Sequence, residues 1–280
     1  MNTNHLLRAG QELVHKVPSR REQETALGIA PTPSNLIHSL LPMHGYAMPA
    51  ATSNKTDWRQ LAILIFLAVI IALLWNTFVV YPLRVLVVVF HEFSHGAAAL
   101  LTGGEIVEIQ INHREGGHCI TRGGIPFIIV SAGYIGSLLC GAAILYATSR
   151  TRSAHVLSGI LGAILLLATF IWIRPLIGFG FAFATIAAVA LILTSFYFPH
   201  APNDVALKVI GLTSCLYAPL DIKSDVFDAG HAVSDATILA HQTGVPAVVW
   251  GTLWLIISLI IGFYALRAAC RAINRPDHAK

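Results

Sequence analysis

Three residues inside one apolar stretch have the types and the spacing of a hydrolytic metal centre. His91, Glu92 and His95 form H-E-x-x-H within residues 85–101, VLVVVFHEFSHGAAALL. Side chains four apart on an α-helix share a face, so both imidazoles can address one ion. With roughly 3.6 residues per turn, Glu92 lies about 100° round from His91 and about 60° from His95. Zn2+ accepts imidazole nitrogen readily, and a catalytic zinc takes three protein ligands and a water. A glutamate in that sector is placed to accept a proton from the water. The expected metal is therefore Zn2+, with His91 and His95 as ligands and Glu92 as the general base. An ionisable group near the centre of a bilayer costs about 2.5–3.5 kcal/mol on insertion scales, so such groups face a cavity and serve a purpose. The competing reading is a polar cluster satisfied within a helix bundle.

Two histidines leave the site one protein ligand short, and a carboxylate is the natural third. Asp221 ranks first, because it follows Ala218-Pro219-Leu220 at the end of an apolar segment. Asp235, in Ser-Asp-Ala, ranks second, since it could equally open a helix, where aspartate caps well. Asp228, in Phe-Asp-Ala-Gly-His, is the further alternative. His113, His118 and His231 are possible nitrogen donors but read more simply as solvated loop histidines.

The elements that must position these residues lie in a chain of 280 residues that is 55% hydrophobic and only 11% charged. Soluble domains average about 25% charged residues, so the composition is that of a multi-pass membrane protein. The net charge of +4 is small and spread over termini and short loops. It suits positive-inside orientation and gives no reason to expect nucleic acid. Cys119, Cys140, Cys215 and Cys270 contain no C-x-x-C pair, so neither a disulfide framework nor a zinc knuckle is expected. The first long apolar run starts near Leu61, too far along for a cleavable signal peptide.

Hydropathy and breakers predict an all-α polytopic fold of six to seven transmembrane helices, with a small β-hairpin after the metal-bearing helix. Spans are expected at 60–80, 85–101, 125–147, 156–173, 176–198 and 245–266, with a shorter apolar segment at 205–219. Tyr81-Pro82 and Arg174-Pro175 separate neighbouring spans. Residues 105–124 alternate polar and apolar around H-R-E-G-G, the pattern of a hairpin. Its open edge beside the metal site could pair with an extended substrate. The third span, with SAGYIGSLLCGAAIL, is rich in small residues that let helices approach closely. If every segment crosses, the ends of the second and sixth spans share a face, which puts Asp221 on the hairpin side. Seven crossings would separate the two basic termini, and an even number would bring them together. The organisation expected is a polar, disordered arm at 1–59 with one short amphipathic helix, a membrane domain at 60–267 and a basic tail at 268–280.

Several strings resemble a known family. HEFSHGAAALLTGGEIVEI, TRGG at 121–124, SAGYIGS at 131–137 and SDATILAHQTGVPAVVW at 234–250 are similar to the site-2 protease family of intramembrane zinc metalloproteases, in its divergent B-type-like branch. The resemblance covers residues 61–266. It implies a zinc-dependent endopeptidase that cuts membrane-associated substrates, with His91 and His95 as ligands and Glu92 as catalytic base. The chain departs from the better-studied members at two places. Their Leu-Asp-Gly is matched only in part by Pro219-Leu220-Asp221-Ile222 and Phe227-Asp228-Ala229-Gly230. Their Gly-Pro…Asn becomes Gly133-Tyr134…Ser137.

The expected partners are thus a membrane protein or peptide substrate and the lipid bilayer. The alternative is a non-catalytic membrane binding or chaperone-like protein that keeps the fold. A transporter has less support, because no internal repeat with paired broken helices is visible.

Overall fold

A computed structural model describes residues 52–151, 153–228 and 234–273. In chain order it contains β1 (Thr52–Thr56), α1 (Trp58–Leu73), α2 (Tyr81–Leu101), β2 (Glu105–Ile111), β3 (Gly117–Arg122), α3 (Pro126–Arg150), α4 (Ala154–Trp172), α5 (Phe179–Tyr197), α6 (His200–Ile222), a π-helical turn (Lys223–Asp228), α7 (Asp235–Thr243), α8 (Ala247–Ala269) and β4 (Arg271–Ile273). The amphipathic helix and disordered arm expected before residue 52, and the tail beyond residue 273, lie outside the described residues.

Six helices, α2 to α6 and α8, are long and apolar enough to cross a membrane. In α2, 61% of the apolar window is buried, against 22% in α5 and 17% in α8. A helix apolar on nearly every side belongs in the middle of a bundle. The outer helices instead expose Ile186, Leu193, Ile256, Leu259 and Phe263, as lipid-facing helices must.

The first segment differs from the span expected at 60–80. Helix α1 has 16 residues, about 24 Å at 1.5 Å per residue, short of a full bilayer crossing. The chain turns at Leu74, where the Thr77 hydroxyl donates to the Leu74 carbonyl at 2.6 Å. Pro82, needing no amide partner in a first turn, helps open α2. Val80 then packs with Leu64, Leu145 and Leu212, so α2 begins inside the bundle rather than beyond it. The shorter segment expected at 205–219 is instead the full 23-residue α6. Pro219 does not end it. The ring removes one amide and crowds the preceding turn, and the helix widens into the π-helical turn that follows.

The described ends meet. The Asp57 amide donates to the Cys270 carbonyl at 2.7 Å, and β1 pairs antiparallel with β4. Gln60 to Ser149, Arg150 to Ala268 and Ala154 to His200 bonds gather at this end. At the opposite end the Thr102 hydroxyl accepts from the Ile125 amide, and Phe127 packs on Trp250. The described ends thus lie together, as six helices that each cross once would place them, with α1 adding no crossing of its own. Cysteines placed at Thr56 and at Arg271, in a chain freed of its own cysteines, should react with a membrane-impermeant maleimide from the same side. Labelling from opposite sides would overturn the even count.

The hairpin forms where the alternation placed it. Glu105 pairs with Arg122 and Ile111 with Gly117, with a bulge between Ile106 and Glu108. The Asn112 carboxamide oxygen accepts from the Arg114 and Gly116 amides and closes the turn. The hairpin folds back along α2. Ile106 and Cys119 lie against Gly96, and Gly117 lies against Glu92. Buried Ile109 forms a parallel bridge with Ile173, and its carbonyl accepts from the Arg174 amide at 2.9 Å. Edge β3 has no second strand among the described residues.

Candidate metal centre

The two histidines lie one turn apart on α2, with ring centroids 4.8 Å apart. His95 Nδ1 donates to the Ile129 carbonyl at 2.7 Å. A carbonyl only accepts, so the proton sits on Nδ1 and Nε2 keeps its lone pair for a metal. His91 is held differently. The ring of Tyr134 meets it edge-on at 5.1 Å, and Gly133 leaves the space that its Nε2 occupies.

The carboxylate that reaches these rings is that of Asp235. Its Oδ2 lies 3.1 Å from His91 Nε2 and 3.4 Å from His95 Nε2. Zinc ligands at about 2.0–2.1 Å and tetrahedral angles stand roughly 3.3 Å apart, so this trio has the spacing of one coordination sphere. Asp235 Oδ2 is buried with no hydrogen-bond partner, as an oxygen kept for a cation would be. Among the described residues, His91, His95 and Asp235 form the group that could hold a metal ion. Burial works against charge on Asp235; when the two imidazoles are protonated instead of metal-bound, their charge outweighs it and holds the carboxyl below its ordinary range.

Local sequence explains why Asp235 is available. Ser234 is the N-cap of α7. It exchanges hydrogen bonds with Thr237 in a capping box. Capping is thus done by the serine, and the next residue turns its carboxylate inward. Asp221, ranked first from the sequence, lines the same cavity but is not in that group. It follows α6 past Pro219, whereas the start of α7 is set directly against α3 and the histidines. The side chain of Asp228, and all of His231, lie outside the described residues. His118 lines the cavity, while His113 sits at the hairpin tip with its ring against Phe179.

Glu92 is 5% exposed and lines the cavity with His91 and His95. It faces Gly117 of β3, where a Cβ would come within 2.7 Å of its Oε1. The cavity is about 670 Å3 and continues along β3 to Glu115, with Tyr217, Ile238 and Gln242 on other walls. Burial pushes the Cys119 thiol up to about 12, and the charge of Glu92 adds to the effect. Cys119 is thus a poor nucleophile in the cavity, and it is not in the group of His91, His95 and Asp235.

Two residues that the sequence reading noted only as a departure from the family pattern prove to position the site. Tyr134 joins His91 to Trp254, and Gly133 is the pivot of the site. A Cβ at Gly133 would collide with His91 Nε2 and lie 2.6 Å from Asp235 Oδ2. Gly133→Ala should therefore bind zinc more weakly, by metal analysis of the purified protein, while Gly262→Ala, at an open position, should not. Equal zinc in both would separate Gly133 from the site. The SAGYIGS string carried this signal, because small residues mark close helix contact.

The family model described as Peptidase M50B-like matches residues 64–265 of the chain. No curated protein and no solved structure matches it.

Proposed function

The chain belongs to the Peptidase M50B-like family, the B-type branch of the site-2 proteases, and on that premise we propose that it is an intramembrane zinc metalloprotease hydrolysing peptide bonds of membrane-associated substrates. It is an integral, multi-pass membrane protein. The observation that carries the proposal is Asp235 Oδ2 within 3.1 and 3.4 Å of the two histidine nitrogens, with Glu92 on the same cavity wall.

His91, His95 and Asp235 would hold the ion. When bound, zinc supplies a Lewis acid that lowers the pKa of a coordinated water towards about 7 and polarises the scissile carbonyl. Glu92 takes the proton of that water and delivers it to the departing amine nitrogen. The free edge of β3 hydrogen-bonds an extended substrate backbone, which holds the peptide open beside Glu92. The polar cavity admits the water that the reaction consumes, at a depth where lipid alone would exclude it. A chaperone-like role without chemistry leaves the buried carboxylate of Glu92 unexplained, since burying a charge that does nothing is costly.

The test is cleavage of single-span membrane proteins by the protein reconstituted in vesicles. Cleavage should stop with a zinc chelator and return when zinc is restored. Protein that contains no zinc, or cleavage indifferent to chelation, would reject the proposal.

A further inference from the structure

The tip of the hairpin is tied to the helix that carries the metal ligands. Arg84 stands on the stripe of α2 that continues through Val88, His91 and His95, at spacings of four, three and four. Its Nη2 lies 2.9 Å from Glu115 Oε1, with side chains 16% and 22% exposed. The guanidinium sits over the Trp75 ring at 5.7 Å, and Trp75 packs on Tyr217 of the cavity wall. One turn earlier on α2, the Tyr81 hydroxyl donates to the His113 carbonyl at 2.8 Å.

Glu115 is the second half of the observation. Its φ is +62°, and it is the one non-glycine with positive φ among the described residues. Such a conformation favours glycine and persists elsewhere when the surroundings enforce it. The turn reads Arg114-Glu115-Gly116-Gly117, so glycines adjoin a position whose backbone would suit glycine itself. A carboxylate kept there is used for its charge. Two residues on, Gly117 rests on Glu92. Strand β2 is held from outside by Ile173 and Arg174. Strand β3 takes its position from β2, from the packing of Gly117 and Cys119 on α2, and from the tied tip.

We propose that the Arg84–Glu115 ion pair is a latch that sets the free edge of β3 over Glu92, which makes Arg84 and Glu115 positioning residues for hydrolysis of an extended peptide. The inference rests on the protease reading above. Because the pair lies beyond the three metal-binding side chains, its loss alters where a substrate lies and leaves the metal in place.

The decisive variant is Glu115→Gly, which accepts a positive φ freely and removes the whole side chain; its control is Glu115→Gln, which keeps the size, removes only the charge and should lose cleavage alike. It should keep its zinc and lose about tenfold or more in kcat/KM on a membrane peptide that the unmodified protein cleaves, a loss typical of misplaced reacting groups. Arg84→Gln should do the same, and the exchange Arg84→Glu with Glu115→Arg should regain part of the loss. Amide hydrogen exchange of residues 117–122, which requires no activity, should quicken in Glu115→Gly. Unchanged cleavage with unchanged exchange in Glu115→Gly would show that the side chain merely occupies the turn and would overturn the latch. Failure of the protease reading has a different mark: no cleavage by the unmodified protein, or zinc absent from it.

Discussion

Purified Glu92→Gln protein should keep its zinc and lose cleavage by a factor of about 10²–10⁴, the range that a positioned general base contributes. Glutamine has the shape of glutamate but cannot accept the proton of a bound water. The side chain is not in the group of His91, His95 and Asp235, so metal content has no reason to fall. The neutral amide also removes a buried charge, so the fold should be as stable as before or more so. Zinc analysis and single-turnover cleavage on the same sample separate the two effects. Full activity in the variant would take the base role away from Glu92, and loss of zinc with activity would make it a ligand instead.

Asp235→Asn protein should lose its zinc, and Asp221→Asn protein should retain it. The structure brings Asp235 Oδ2 to both Nε2 atoms, and an amide there offers no negative charge to the ion. Removing a ligand should weaken binding by more than the 10–100-fold that accompanies loss of a supporting partner. Asp221 lines the cavity near enough for its charge to act on His91. Its replacement should shift zinc affinity slightly and leave stoichiometry unchanged. The opposite pair of results would make Asp221 the third ligand, the order that the sequence suggested. His91→Ala should resemble Asp235→Asn in zinc content, which gives the comparison an internal standard.

Much of this was legible because it is local. H-E-x-x-H places its three groups by helical period alone, and a run of apolar residues long enough to span a bilayer needs no partner to be recognised. The alternation of residues 105–111 and the Asn112–Gly116 turn make a hairpin from near neighbours. Helix ends were less legible. Residues 60–80 are apolar apart from Gln60, Asn76 and Thr77, yet α1 stops at Leu73, because the apolar character of Phe78, Val79 and Val80 hides a turn set by Thr77 and the packing of Val80. Pro219 looked like a terminator, but the α-helix continues through it to Ile222 before the π-helical turn begins at Lys223.

By itself the sequence determined the membrane-embedded helices, the hairpin and the pair of histidines with Glu92 between them, since each follows from residues within a few positions of one another. Only the tertiary structure decided which carboxylate meets those histidines. Asp221 ends an apolar segment and Asp235 lies in the polar loop after it, and the distance from His91 is about 130–145 residues along the chain for either. The choice came from the approach of α7 to α3 across Gly133 and from Ser234 taking the capping role, which frees one carboxylate to turn inward.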